Sequence, residues 1–249
     1  MKKKWQKIIH HIADAVGRVI FPPRCVLCDE LLEPGQTWLH PQCEKDIFRV
    51  QEPVCMHCGR PVLAEGEEFC PDCKRKKNGS FSFRQGKALF VYQGRIKKAM
   101  YRFKYANRRE YAAYFAVYAD EKYGEWLRKI APEAIVPVPM YGKKQRKRGY
   151  NQAKVFANAL ARQIGVPVRT DLVRRTRNTT PMKLLNDTER KNNLKNAFQT
   201  TQSIVKYKKI LLVDDIYTTG STADAVAECM RQAGVNDVFY MSICIGKGH

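Results

Sequence analysis

Apolar and polar positions follow three different rhythms along this chain. Between residues 2 and 20, Ile8, Ile9, Ile12, Val16, Val19 and Ile20 recur at helical spacing, and Pro22-Pro23 ends the run. One amphipathic helix is expected there, because proline lacks the N–H that the next turn needs. From residue 25 to 79 no period survives, and short polar tips such as Glu65-Gly66-Glu67-Glu68 separate cysteine pairs. Regular patterning returns after the basic, turn-forming stretch Lys74-Arg-Lys-Lys-Asn-Gly79. Lys87–Tyr92 reads as a strand, Ile96–Tyr105 and Glu110–Lys129 as helices, and Ala134–Met140 as a short buried strand. A loop over Tyr141–Gln152 leads into a helix at Ala153–Ile164, with Val155, Phe156, Ala159 and Leu160 inward. Ile210–Val213 has the length and branching of a fully buried parallel strand. The next helix spans about Thr222–Ala233, stopped by Gly234, and Asp237–Ile245 closes the series. Strands alternating with helices predict an α/β domain on a parallel sheet. The expected division is 1–24, 25–79 and 80–249.

The irregular segment carries an internal repeat. Cys25-x2-Cys28, His40-x2-Cys43, Cys55-x2-Cys58 and Cys70-x2-Cys73 are separated each time by eleven residues. Each half has the paired-knuckle spacing of a zinc ribbon, and four thiolate or imidazole ligands suit tetrahedral Zn²⁺. Both sets are closed, with no open position for a substrate water, so their metal is structural. Ligands pair within each repeat or interleave between the two; spacing favours the first. His57 is a bystander between two ligands. Cys229 and Cys244, on apolar elements, read as core.

The second chemical signal is Leu211-Leu-Val-Asp-Asp-Ile-Tyr-Thr-Thr-Gly-Ser-Thr222. A strand, a tight loop and a helix start place free backbone N–H groups together, which makes an anion site. Thr218, Thr219, Gly220, Ser221 and Thr222 can supply donors to a phosphate monoester. Asp214 and Asp215 beside such a loop imply a ligand whose donors need acceptors, either a ribose diol or a hydrated Mg²⁺. The run resembles the phosphoribosyl-pyrophosphate (PRPP) motif of type I phosphoribosyltransferases. That resemblance implies that the two acids take the ribose hydroxyls and the loop takes the 5-phosphate. The 141–152 loop, with Lys144 and Arg148 among its cations, would border the same crevice and face the pyrophosphate. Residues 174–197, polar and long for a connection, stand where such enzymes carry a flap that excludes water.

Charge alters the picture again. The formal net charge is +21, and it is concentrated: residues 81–209 hold 30 Lys and Arg against 8 Asp and Glu. Such a surplus suits a polyanion, nucleic acid or a membrane face, or else simply keeps the chain soluble. Arg95, Lys97, Lys98, Arg102 and Lys104 alternate with Met100, Tyr101, Phe103 and Tyr105. A single nucleic-acid strand needs both, cations for phosphates and rings for bases, whereas an amphipathic helix would simply bury the rings. Three lysines and Trp5 at the chain start could touch anionic lipid, or that helix docks on the protein's own body. No apolar run approaches the roughly 20 residues needed to span a bilayer. A cytoplasmic setting is expected, where cysteines stay reduced.

Val136-Pro-Val-Pro139 with Lys147-Arg-Gly-Tyr-Asn-Gln-Ala153, Phe21-Pro-Pro-Arg-Cys25 before the ribbons, and Arg174-Arg-Thr-Arg-Asn178 before Glu189-Arg-Lys-Asn-Asn193 resemble the ComF (ComFC) family of competence proteins. The resemblance covers essentially the whole chain, with His40 in a usual cysteine position and Met182 in a usual glutamine position. It implies a type I phosphoribosyltransferase-like domain behind a double zinc ribbon, and a role in DNA uptake. It also implies PRPP with Mg²⁺ as ligand, single-stranded DNA as partner, and association with the ComFA helicase and DprA. The other reading of the same motif is a metabolic phosphoribosyltransferase. In that case Asp214 and Asp215 hold the ribose while pyrophosphate leaves C1 through an oxocarbenium-like state. No acceptor pocket or general base stands out, although Tyr141, Tyr150 and Tyr217 lie near the right loops.

Overall fold

The computed structural model describes residues 22–63, 66–76, 81–177 and 197–248. The helix expected at 2–20, Glu65 of the predicted tip, the end of the linker and most of the 174–197 segment lie outside them.

Four parallel strands form the central sheet: β1 (Gln85–Val91), β2 (Ala134–Pro137), β5 (Lys209–Tyr217) and β6 (Asp237–Ile245), in the order β1-β6-β5-β2. Two short strands, β3 (Val173–Arg175) and β4 (Phe198–Thr200), pair antiparallel beside it. Burial explains why β5 and β6 read as continuous apolar runs. Along β5, Leu211 and Val213 enter one core while Ile210 and Leu212 enter the other. A parallel sheet is covered on both faces, so neither face can be polar.

One face carries α3 (Gly94–Tyr105), α4 (Tyr111–Ile130) and α6 (Gln152–Ile164). The other carries α7 (Ser221–Gln232) and the β3–β4 pair. The aromatics of α3 divide between the two readings the sequence allowed: Met100 and Phe103 are fully buried, Tyr101 and Tyr105 exposed. Between β2 and α6 the chain forms the short helix α5 (Gly142–Arg148) where a loop was expected. Its turn carries no apolar stripe, so periodicity could not announce it; left-handed Gly149 ends it.

The two cysteine repeats sit on opposite faces. Cys25, Val26, Leu27 and Cys43 pack into the α3–α4 core, whereas Val50 and the second repeat's cysteines pack into the α7 core. Helices α1 (Pro41–Glu44) and α2 (Pro71–Lys76) each present the last ligand of a repeat. The segment between the repeats lies along β1: Val50 N donates to Leu89 O at 3.0 Å and Val91 N to Phe48 O at 2.8 Å. It therefore covers an edge that would otherwise offer unpaired peptide groups. Asp29 ties the first repeat to α4, accepting from Arg108 at 2.9 Å and from Tyr111 at 2.6 Å. Among the described residues no helix is long and apolar enough to cross a membrane.

Candidate functional site

The acids stand just past Val213, where the β5 register with β2 ends. Asp214 and Asp215 fall within the strand, whose pairing with β6 continues to Tyr217. Alternation along the strand then turns the two carboxylates to different surroundings. Asp214 accepts from the Asp215 N–H at 2.8 Å. Burial, aggravated by the neighbouring Asp215, pushes the Asp214 carboxyl up to about 8. Asp215 instead meets Lys104 of α3, Nζ to Oδ2 at 3.0 Å. Burial works against charge on Lys104, but the adjacent carboxylate outweighs it and holds the ammonium above its ordinary range.

Thr218, Thr219 and Gly220 link β5 to α7. Gly220 adopts a left-handed φ of 81°, and a Cβ there would collide with the Tyr217 ring beneath. Only glycine lets the chain turn this sharply over that ring. Among the described residues no side chain caps α7, so first-turn N–H groups stay available to an anion. Thr219 and Ser221 hydroxyls meet at 2.9 Å. Asp214, Tyr217, the loop residues, Thr222 and Tyr240 line a cavity of about 30 Å³.

Lys144, on α5, stands near Arg148 of the same helix and near Arg175 of β3. Burial, then the nearness of Arg175 and Arg148, lowers the Lys144 ammonium. Burial likewise lowers Arg175, while Asp214 partly restores its charge. Around the end of β5 the chain thus brings together acids on the strand, cations on α5, β3 and α3, and a hydroxyl-rich loop. Arg175 stood within the quoted Arg174–Asn178 motif and Lys104 within the basic helix, but neither was assigned to the acids; their partners lie nearly forty and more than a hundred residues away in sequence. Tyr150 donates to the Phe103 carbonyl, and Tyr217 is buried beneath the loop. Neither ring faces solvent.

The structure gathers the eight predicted zinc ligands into two sets, each within one repeat. Donor atoms of Cys25, Cys28, His40 and Cys43 lie within 4.8 Å of one another, as do those of Cys55, Cys58, Cys70 and Cys73. Tetrahedral Zn–S bonds of about 2.3 Å place sulfurs roughly 3.8 Å apart, and Cys58 and Cys70 stand at 3.7 Å. His40 turns Nδ1 to within 3.3 Å of Cys28 Sγ, while its Nε2 meets the Leu31 carbonyl at 2.9 Å. That second contact fixes the tautomer with Nδ1 free to bind metal. Both donor sets fit structural zinc. His57, no ligand, is buried between the rings of Phe81 and Phe83, with centroids 3.8 and 4.1 Å away.

These features define a phosphoribosyltransferase-type α/β domain with two zinc ribbons. The double zinc ribbon domain matches residues 16–74 and the phosphoribosyl transferase domain residues 151–246. The chain belongs to the competence protein F family. It is 32% identical over 223 residues to "Competence protein F" of Haemophilus influenzae, covering 86% of this chain and 93% of that protein. "Competence protein ComFC" of Bacillus subtilis is 25% identical, covering 84% and 89%. "DNA utilization protein YhgH" of Escherichia coli K12 is 26% identical, covering 90% and 97%. A solved glutamine PRPP amidotransferase from B. subtilis matches 57% of this chain and 30% of its own at 16% identity. Its TM-score of 0.38 is too low to carry an argument.

Proposed function

We propose that this protein acts in the handling of incoming DNA during competence, binding PRPP in the crevice and single-stranded DNA on the basic surface beside it. The names borne by its relatives support the biological setting. The observation that carries the ligand is the approach of cations to the acids at the end of β5: Arg175 stands near Asp214, and Lys144 stands near both Arg175 and Arg148. PRPP is built the same way, with a diol needing acceptors and a pyrophosphate needing cations. Mg²⁺, bound with the pyrophosphate, would neutralise the leaving group; Asp214 and Asp215 would orient the ribose and Thr218–Thr222 the 5-phosphate.

For DNA, support comes from the join between α3 and α5. Tyr101 and Tyr105 are 63% and 60% exposed, with ring centroids 5.0 Å apart. Arg148 lies 5.0 Å over Tyr105, and Lys143, Arg146 and Lys147 project from the same short helix. Exposed rings among cations suit a flexible strand, since bases stack while phosphates pair.

The decisive comparison is thermal unfolding with PRPP and Mg²⁺ for the wild type and for Asp214→Asn/Asp215→Asn. The reading requires a ligand-induced rise in the first and little in the second. An equal rise in both, or none in either, would overturn it. Pyrophosphate release with some acceptor, absent in the double variant, would shift the reading to a transferase.

A further inference from the structure

The second zinc ribbon reaches the phosphate loop. Arg60, two residues beyond the ligand Cys58, is 2% exposed and pairs with Asp72, which lies between ligands Cys70 and Cys73. Its other nitrogen, Nη2, donates to the Thr218 carbonyl at 2.5 Å. Lys76, three residues beyond Cys73, donates to the Thr219 carbonyl at 2.9 Å and to Asp224 of α7 at 2.7 Å. Lys76 is paired with Asp224, and Arg60 shares Asp72 with Arg75, so much of their charge is offset and the ribbon chiefly adds direction. Two consecutive carbonyls of the loop are thereby drawn toward it.

That has a consequence for the amides. A trans peptide is planar, with its C=O and N–H on opposite sides. Holding the Thr218 carbonyl toward the ribbon turns the Thr219 N–H away from it. Holding the Thr219 carbonyl does the same for the Gly220 N–H. A flip of either peptide would exchange a donor for an acceptor and repel a phosphate. Gly220, left-handed and without a Cβ, is where such a flip is cheapest.

We propose that Arg60 and Lys76 are positioning residues that lock the 218–220 peptides in their anion-binding orientation, so that the Cys55–Cys73 ribbon forms part of the ligand site. The first ribbon, on the opposite face, has no such role. The inference rests on the reading that the loop takes the 5-phosphate of PRPP.

The test compares full-length, zinc-loaded wild type with Lys76→Met, Lys76→Arg, Arg60→Met and, for the first ribbon, Arg108→Met. Zinc content, amide hydrogen exchange over residues 218–222 and PRPP·Mg²⁺ affinity are read for each. Lys76→Met should keep both zincs, exchange the loop amides faster and bind PRPP about tenfold more weakly, as losing a charge-assisted hydrogen bond implies. Lys76→Arg should restore both, and Arg108→Met should alter neither. The weaker affinity should persist in about 0.5 M salt, where through-space attraction is screened. Should Arg60→Met lose zinc, Lys76→Met alone decides. Unchanged loop exchange in Lys76→Met overturns the lock, as does faster exchange with unchanged affinity. A wild type that binds no PRPP removes the preceding functional reading, and loop exchange then decides the lock alone.

Discussion

Lys104 Nζ stands 3.0 Å from Asp215 Oδ2, with both side chains more than four-fifths buried. Burial keeps the adjoining Asp214 protonated below about pH 8, so the charge that the lysine compensates is that of Asp215. Removing one partner of a buried pair leaves the other charge without compensation, at about 3 kcal/mol. Lys104→Met should lower the melting temperature by roughly 6–12 °C, since each kcal/mol shifts a chain of this size by 2–4 °C. Adding Asp215→Asn should recover much of that stability. A double-mutant cycle by thermal unfolding measures the coupling, and additive effects would refute it.

Asp214 gives a pH dependence of definite sign. Its folded pKa of about 8 lies above the ordinary 3.8, so the folded state holds the proton more tightly. Its contribution therefore favours folding increasingly as pH falls from about 8 toward 3.8, and vanishes above about 8. Wild type minus Asp214→Asn should be more favourable at about pH 6 than above pH 8. Ribose hydroxyls donate to a carboxylate and favour its ionised form, so PRPP binding should release a proton in the same window. Calorimetry in buffers of different ionisation enthalpy reads that proton, and Asp214→Asn should lose it.

The α/β series was legible because β5, α7 and β6 each bury an uninterrupted or helically spaced apolar face. The phosphate loop and both cysteine sets were legible because their chemistry is local, confined to short windows of sequence. What stayed hidden depends on tertiary approach. Lys104 is one cation of five on α3 until folding brings it to Asp215, 111 positions away. Arg60 drew no reading, and Lys76 read as part of a turn-forming linker although Lys74–Lys76 end helix α2, because nothing near either in sequence shows that they meet Thr218 and Thr219. Helix α5 escaped notice for another reason. It buries nothing, so no hydrophobic period marks it.

Zinc stoichiometry should follow the two closed sets. The wild type should contain two zinc ions per chain by elemental analysis, and Cys28→Ser or Cys70→Ser should each leave about one. Metal binding is folding free energy in such small knuckles, so each substitution should expose its own repeat to proteolysis. The consequences should differ by face: Cys28→Ser loosens the Asp29–Arg108 attachment to α4, Cys70→Ser the hold of Arg60 and Lys76 on the 218–220 loop. Cleavage spreading equally through both repeats in either variant would show one cooperative metal unit instead.

DNA binding should separate into a stacking part and an ionic part. Tyr101→Ala and Tyr105→Ala each remove an exposed ring, and base stacking on a ring contributes about 1–3 kcal/mol. Each should weaken binding of a mixed-sequence single-stranded oligonucleotide roughly tenfold, leaving the salt dependence nearly unchanged. Lys143→Gln and Lys147→Gln should instead lower the slope of log K against log salt by about 0.7 for each phosphate that no longer finds a cation. Arg148→Gln should do both, because its guanidinium lies over Tyr105 and near Lys144. Fluorescence anisotropy across a salt series distinguishes the two parts. If the tyrosine variants flatten the slope, or the lysine variants weaken binding without changing it, α3 and α5 are not the strand's path.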